Sequence, residues 1–571
     1  MKKRAVSLFM AAAMTAGLLA GCGSTPDGEA SSGNAGNSSD AGAPESEGAG
    51  ADESESTGAE DTEAEGEQEG EQTGGTQDNA ITLPLTEDPV TLSMWLPSVT
   101  NVMTIWGDYN SVPFFQEMEK RTGVHIEFET PVVGEETTAF NLMISSGELP
   151  DIICWPNYYS DGYDAAIDDG YYLDLTPYLD TYLSNYNALR LSNERWKTDS
   201  VTDSGRAATV LGLLVEPQRS WGGMQIRQDW LDDLNLDMPV TYSDLEEVLT
   251  AFKEEKGAYA PLALCSKGNY YYGEMSGGFG VDDSFMNKDG TVVAGFVTDE
   301  WRQYLTLMNQ WYEKGLIDPD FMTNSSWMVD TELVTTGASG VWWSMYTMPA
   351  AYEATDENMV VSPLPSPKLN ESDTVHFRMA DVYDHRGVAI SADCENVEIA
   401  LKWLDYLFTE EGMALANYGP EGLTFNYDEN GEKIFTDVIL NNEDGLSAGD
   451  AVASYAMIPE KIPSYYDWTR ELQFVPEKDV RSYDVWGSED HLEDWVMPAN
   501  VSLTSDESVE LASMYADIQT YYQEASCQFI TGVLDIENDA DWENYVNVIE
   551  GMGIERCVEI RQAALDRYLA R

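Results

Sequence analysis

Between Val90 and Trp155 the apolar residues change their spacing in a fixed order, and that order limits the fold more than any other feature of the chain. Val90-Thr91-Leu92-Ser93-Met94-Trp95 alternates, the period of a strand. Ser111 and Pro113 open a helix, PFFQEMEKRTG, which Gly123 stops. Val124, Ile126 and Phe128 alternate again, Phe140 to Ser146 forms a short helix ending at Gly147, and Pro150-Asp151 leads into the apolar strand Ile152-Ile153-Cys154-Trp155. Strand, helix, strand, helix, strand with short links predicts a parallel α/β sheet. Ligands of such sheets sit beyond the carboxyl ends of the strands. Trp95, Trp155 and the pair Tyr158-Tyr159 fall at those ends.

A second set of elements begins near Gly222. Met224-Gln225-Ile226-Arg227 reads as a strand, and Asp229-Trp230-Leu231 starts a helical turn. Ser243 to Glu246 fits a capping box that opens a helix ending near Gly257. Thr298 opens another, with Trp301, Tyr304, Leu305, Met308, Trp311 and Tyr312 on one face and Gly315 as its stop; those aromatics read as core. Val397 to Phe408 and about Ile554 to Leu569 repeat the helical pattern, and no short-period repeat indicates a solenoid. The patterned body runs from residue 81 to Arg571, too long for one ordinary core. We expect two discontinuous lobes, the first beginning with 81–210 and the second at about 215.

Ahead of this body, residues 1–22 read MKKRAVSLFMAAAMTAGLLAGC. Lys2, Lys3 and Arg4 precede an apolar run from Ala5 to Ala20, too short and too rich in small residues for a good membrane span. The segment resembles a bacterial lipoprotein signal. That resemblance implies removal of residues 1–21, acyl chains (palmitate among them) on Cys22, and a protein tethered outside the cytoplasm. An ordinary secretory signal with an incidental cysteine is the plainer alternative. Residues 23–80 hold 16 Asp and Glu, no Lys or Arg, and almost nothing to bury. Such a tract cannot offset the entropy of ordering and reads as a disordered acidic tether spanning 22–80, with an r.m.s. reach of about 40–45 Å.

The formal net charge of −72 argues against nucleic acid, which needs a basic face. Besides Cys22 the cysteines are Cys154, Cys265, Cys394, Cys527 and Cys557, an odd number without CxxC spacing. Cys527 and Cys557 are a candidate pair; the others read as small buried residues. His125, His376, His385 and His491 are the only histidines and form no metal motif, so neither metal nor cofactor is expected.

Several phrases together resemble the extracellular solute-binding proteins that serve ABC importers of sugars and oligosaccharides. They are Phe114 to Gly123 followed by a strand, Ser146-Gly147 through Pro150-Asp151-Ile152, Ile226-Arg227 through Asp229-Trp230-Leu231, Trp311 through Gly315 to Asp318 and Asp320-Phe321, Gly337 through Gly340 to Trp342-Trp343, and Gly419 through Glu421-Gly422. The resemblance spans about residues 88–571. It implies two α/β lobes with parallel sheets, a hinge and an interlobe cleft, a carbohydrate ligand, and ABC permease subunits as partners of a monomeric, lipid-anchored chain. Some relatives bind calcium in an Asp/Asn/Gly loop after the Arg-x-Asp-Trp phrase, but Ala251 to Ala258 lacks that alternation. Asn426, Asp428, Asn430, Gly431 and Asp437 mimic a calcium loop, although the flanking Phe425-Tyr427 and Ile434-Phe435 favour a hairpin turning at Asn430-Gly431. Asp535, Asn538, Asp539 and Asp541 read as a solvated, helix-capping turn rather than an ion site.

A pyranose offers apolar C–H faces to aromatic rings and a hydroxyl rim to polar side chains, and leaving a buried rim partner unpaired costs ~1–3 kcal/mol. The chain has 16 Trp and 31 Tyr. On position, the ligand candidates are Trp95, Trp155, Tyr158, Trp221, Tyr271, Tyr272, Trp342, Trp343 and Tyr346. Trp342 and Trp343 point opposite ways if their segment is a strand, so one of the two is expected to face ligand. The polar candidates are Arg227, which either forks to ligand or pairs with an acidic neighbour, Asp381, and Glu421 in its Gly-flanked turn. Two further classes stay open. A lipid-anchored glycoside hydrolase needs only two carboxylates, and 102 Asp and Glu allow any pair to be nominated. A peptide-binding or adhesin-type lipoprotein is the other. The absence of a nucleophile elbow, phosphate loop or metal motif favours a binder with no catalytic residues.

Overall fold

The computed structural model describes residues 81–571 apart from 215–221, 270–272, 325–328, 330, 376–386, 457–461 and 488–494. The chain opens as its apolar spacing dictates. β1 (Val90–Trp95) is followed by α1 (Pro113–Thr122), which has Pro113 in its first turn and ends on Gly123 in the left-handed conformation. β2 (Val124–Glu129), α2 (Glu136–Ser146) and β3 (Ile152–Cys154) complete the series. β1 lies between β2 and β3 and is parallel to both, in register from Val90 against Val124 to Trp95 against Glu129. Leu92, Met94, Ile126, Ile152 and Cys154 point into one large apolar core.

The chain then builds a second core. β4 (Gly222–Arg227) runs into α3 (Gln228–Leu234). α4 (Tyr242–Glu255) begins two residues earlier than its sequence indicates. Thr241 caps it, taking the Asp244 N–H while the Asp244 carboxylate takes the Thr241 N–H, so Ser243 lies inside the first turn. α5 (Asp299–Glu313) is capped by Thr298 and buries Trp301, Tyr304, Leu305, Met308 and Trp311. β5 (Val341–Met345) and β6 (Val361–Pro363) flank β4, and both run antiparallel to it. The α/β class expected from the sequence holds, but the sheet around β4 is built on antiparallel pairs, unlike the first. One strand–helix unit at 222–234 says nothing about the direction of partners more than a hundred residues later.

From there β7 (Val388–Ile390) returns to the first sheet, antiparallel to β3, and α6 (Val397–Tyr406) packs on the same core through Leu401, Trp403 and Leu404. The strands Phe425–Tyr427 and Lys433–Phe435 form the hairpin, and Asp428 holds its turn by accepting from the Asn430 and Glu432 N–H groups. α7 (Ser505–Ile530), α8 (Asp539–Gly551) and α9 (Ile554–Leu569) close the second core through Phe529, Tyr545 and Ile560. Asn538 caps α8 as a solvated turn residue. The two cores thus exchange the chain between Leu214 and Met224, between Leu364 and Val388, and between Ile462 and Leu511.

The candidate disulfide does not form. Cys527 and Cys557 are both free and buried, as are Cys154, Cys265 and Cys394. The Cys527 thiol instead donates to the Ser266 carbonyl at 3.2 Å.

Candidate functional site

The carboxyl edge of the parallel sheet carries a row of rings. β1 ends on Trp95, which meets Phe140 edge-on at 6.2 Å; Phe140 meets Tyr158 at 5.6 Å, and Tyr158 meets Trp155 at 6.1 Å. Trp95 and Phe140 are buried, while Trp155 and Tyr158 keep part of their surface open. The row therefore begins in the core and ends at solvent. The Trp95 indole N–H is buried without a partner.

Trp155 is held in a costly conformation. Its φ and ψ are 56° and 51°, the left-handed region, and Pro156 follows it. The other described non-glycine residues at positive φ are Asn235 and Asp289, types that tolerate it. A tryptophan there costs of order 1–3 kcal/mol, and the residue before proline is pushed toward extended backbone as well. Such strain persists where the surroundings over-determine it, and it gathers at ligand sites.

Beside this edge lies a cavity of about 380 Å³ between groups of both cores. The first-core side contributes Asn157 and Tyr159 from the turn after β3, Tyr163 from the short helix Gly162–Asp168, and Thr202 and Thr209. Asn500, Arg561 and Arg571 form the far wall. The two sides are bonded next to it. Arg571, after α9, sends Nη2 to Asp203 Oδ1 at 2.6 Å and Nη1 to the Val201 carbonyl at 2.8 Å. Arg567 donates to Asp203 Oδ2 at 2.9 Å, and the Tyr568 hydroxyl to Asp199 Oδ1 at 2.7 Å. Asp164 fixes the loop 202–206 on the first-core side of this wall. Burial alone would raise its carboxyl, but donors from Ser204, Thr202 and Arg206 hold it below the usual range.

The family profile described as "Bacterial extracellular solute-binding protein" matches residues 108–414. The chain belongs to that family. It is 25% identical to Lipoprotein LipO of Bacillus subtilis over 64% of this chain and 74% of LipO. It is also 25% identical to the fructooligosaccharide ABC transporter substrate-binding protein FusA of Streptococcus pneumoniae, over 81% of this chain and 88% of FusA. Among solved structures, the alginate-binding protein AlgQ2 superposes with a TM-score of 0.66 at 21% identity, covering 84% of this chain and 99% of AlgQ2. That likeness shows the two-lobe fold.

The sequence candidates separate into distinct places. Trp95, Trp155 and Tyr158 share the aromatic row. Trp342 and Trp343 do lie on a strand and face opposite ways, yet neither reaches solvent. Tyr352 covers Trp342 at 5.6 Å, and Trp343 donates to Glu274 at 2.7 Å. Gly222 has no room for a Cβ, which would sit 2.4 Å from the Trp343 ring. Neither ring is open to a ligand here, because Tyr352 packs on one and the Glu274 carboxylate takes the indole N–H of the other. Tyr346 is buried with Val475 and Trp486. Arg227 is spent on a two-bond fork to Asp229, at 2.8 and 2.6 Å, and stacks on Trp230. Glu421 is exposed in the turn before the hairpin. Cys22, Trp221, Tyr271, Tyr272 and Asp381 lie outside the described residues. Sequence reasoning did not single out Asp203 or the arginines that meet it. The available signal was a C-terminal helix unusually rich in arginine on a strongly acidic chain.

Among the described residues no group of three or more His, Cys, Asp or Glu side chains is arranged to hold a metal.

Proposed function

We propose that this protein captures an oligosaccharide between its two lobes and delivers it, unaltered, to the permease of an ABC importer, while lipid on Cys22 and the 22–80 tether keep it at the outer face of a membrane. One observation carries the reading: in a chain of this family, a row of aromatic rings ends at a strained, half-open Trp155 on the carboxyl edge of the parallel sheet. Rings of this kind cover the apolar face of a sugar, and FusA, similar along most of its length, is named for the fructooligosaccharides it binds. Lobe closure on ligand is a population shift set by the ligand's preference for the closed form. ATP hydrolysis belongs to another subunit. The aromatic positions Trp221, Tyr271 and Tyr272, with Asp381 and Glu421, are proposed to complete the site in the closed form.

A thermal-shift and calorimetric screen over mono- and oligosaccharides and peptides tests this. Stabilisation by an oligosaccharide that is recovered intact supports capture. Stabilisation by peptides alone, or cleavage of the glycan during incubation, overturns it in favour of a peptide binder or a hydrolase.

A further inference from the structure

Arg561 differs from the other arginines around it. Arg556 pairs with Glu510 and Glu559, and Arg567 and Arg571 both pair with Asp203. Among the described residues of α9, Arg561 is the arginine with no carboxylate partner, in a chain with 102 Asp and Glu. Its Nε is buried with no hydrogen bond, and its guanidinium lies 5.5 Å from the centroid of the Phe285 ring. Burial pushes its pKa down, and only the Tyr515 hydroxyl and the Cys557 thiol act against that. A desolvated cation without a counterion is costly. The remaining face of this cation lines the interlobe cavity, whose volume falls in the ~300–1,000 Å³ range of small-molecule sites.

We propose that this cavity is a glycan subsite for a carboxylate-bearing sugar, a uronate, with the Arg561 guanidinium gripping the carboxylate. The inference rests on the carbohydrate reading above and adds the charge of the ligand. Arg561 presents a planar fork that matches two carboxylate oxygens. Asn157, Asn500 and Thr209 supply amide and hydroxyl groups for the sugar rim, and Tyr163 supplies a ring. Asp199 stands in the same wall, its carboxylate already taken by Tyr568. A doubly charged phosphate is therefore disfavoured there, and a single carboxylate is the better match.

The test is calorimetry on the full chain with trimers of galacturonate, mannuronate and glucuronate, each against its methyl ester, and with a neutral and a sulfated trisaccharide. At least one acid is expected to bind about tenfold or more tighter than its ester. Arg561→Gln should erase that preference with little change in melting temperature, because no ion pair is lost and a costly buried charge is removed, and Arg561→Lys should keep part of it. Equal binding of every acid and ester, a preference that survives Arg561→Gln, or tighter binding of the sulfated sugar overturns the subsite. If neutral trimers bind and the acids gain nothing, the subsite alone is wrong. If no saccharide of any charge binds, the capture reading falls with it.

Discussion

Arg571 and Asp203 stand 2.6 Å apart although 368 residues separate them in the chain, and they join the C-terminal helix of one core to a loop of the other. The Arg571 side chain is almost wholly buried, so it relies on that carboxylate, on the Val201 carbonyl and on Ser502. Arg567 shares the same carboxylate.

Asp203→Ala should accordingly destabilise the protein by about 2–4 kcal/mol, because it strands a buried cation. Chemical unfolding measures the loss. A double cycle with Arg571→Ala separates the pair from its surroundings, and a coupling near zero would show that the contact contributes nothing. Since the pair ties two cores together, the variant should also unfold with two separable transitions where the parent shows one.

Trp155 and Trp343 were equal candidates in the sequence and should now behave differently. Trp155→Ala should weaken oligosaccharide binding about tenfold or more and change stability by less than ~1 kcal/mol, since its ring is half open. Trp343→Ala should cost about 3–5 kcal/mol through the cavity it leaves and the hydrogen bond to Glu274 it loses. Calorimetric affinity and urea midpoints, measured on both variants, decide between them; a binding loss confined to Trp343→Ala would reverse the assignment.

The contrast explains what was legible. Pro113 and Gly123 bound a helix from both ends, Thr298 caps another, and Val90 to Met94 alternates, so local chemistry alone located these elements. The aromatic row was partly legible for the same reason, since strand ends can be read from the pattern. The fates of Trp342 and Trp343 were not. Their burial depends on Tyr352 and on Glu274, which arrive from other segments and leave no mark at residues 342–343. For the Asp203 cluster the arginine-rich C-terminal helix was the one local hint, and nothing near residue 203 marked the carboxylate that meets it; only the fold brings them together.

Asp405 gives a pH dependence with a definite sign. Burial pushes its carboxyl up to about 6, although the Tyr186 and Asn185 N–H groups and the Asn185 amide donate to it and pull the other way. A carboxyl raised above its unfolded value of about 3.9 favours the fold while protonated. That contribution is complete below the unfolded value and is lost as pH rises through about 6. Asp283, buried against Lys267, is raised in the same direction. The stability of the parent relative to Asp405→Asn should fall by about 2–3 kcal/mol between pH 4 and pH 7. Urea unfolding across that range checks it, and a constant difference would refute the assignment.

The cysteines offer the sharpest check on the packing of α7 against α9. Cys527 and Cys557 lie on these two helices, both buried and unbridged. Burial pushes the thiols of Cys265 and Cys394 up to about 12 and that of Cys527 to about 11. Thiolate is the reactive form, and at pH 8 such groups are thiolate to ~0.1% or less. In the folded protein these thiols should resist an aromatic disulfide reagent for as long as the chain stays folded, and all five should react once urea unfolds it. Their labelling rate then reports opening of the core, not thiol chemistry, and should follow the unfolding rate as denaturant rises. A reductant should leave the melting temperature unchanged. A melt that drops under reductant, or a peptide map linking Cys527 to Cys557, would require the two helices to pack more closely at those positions than they do here.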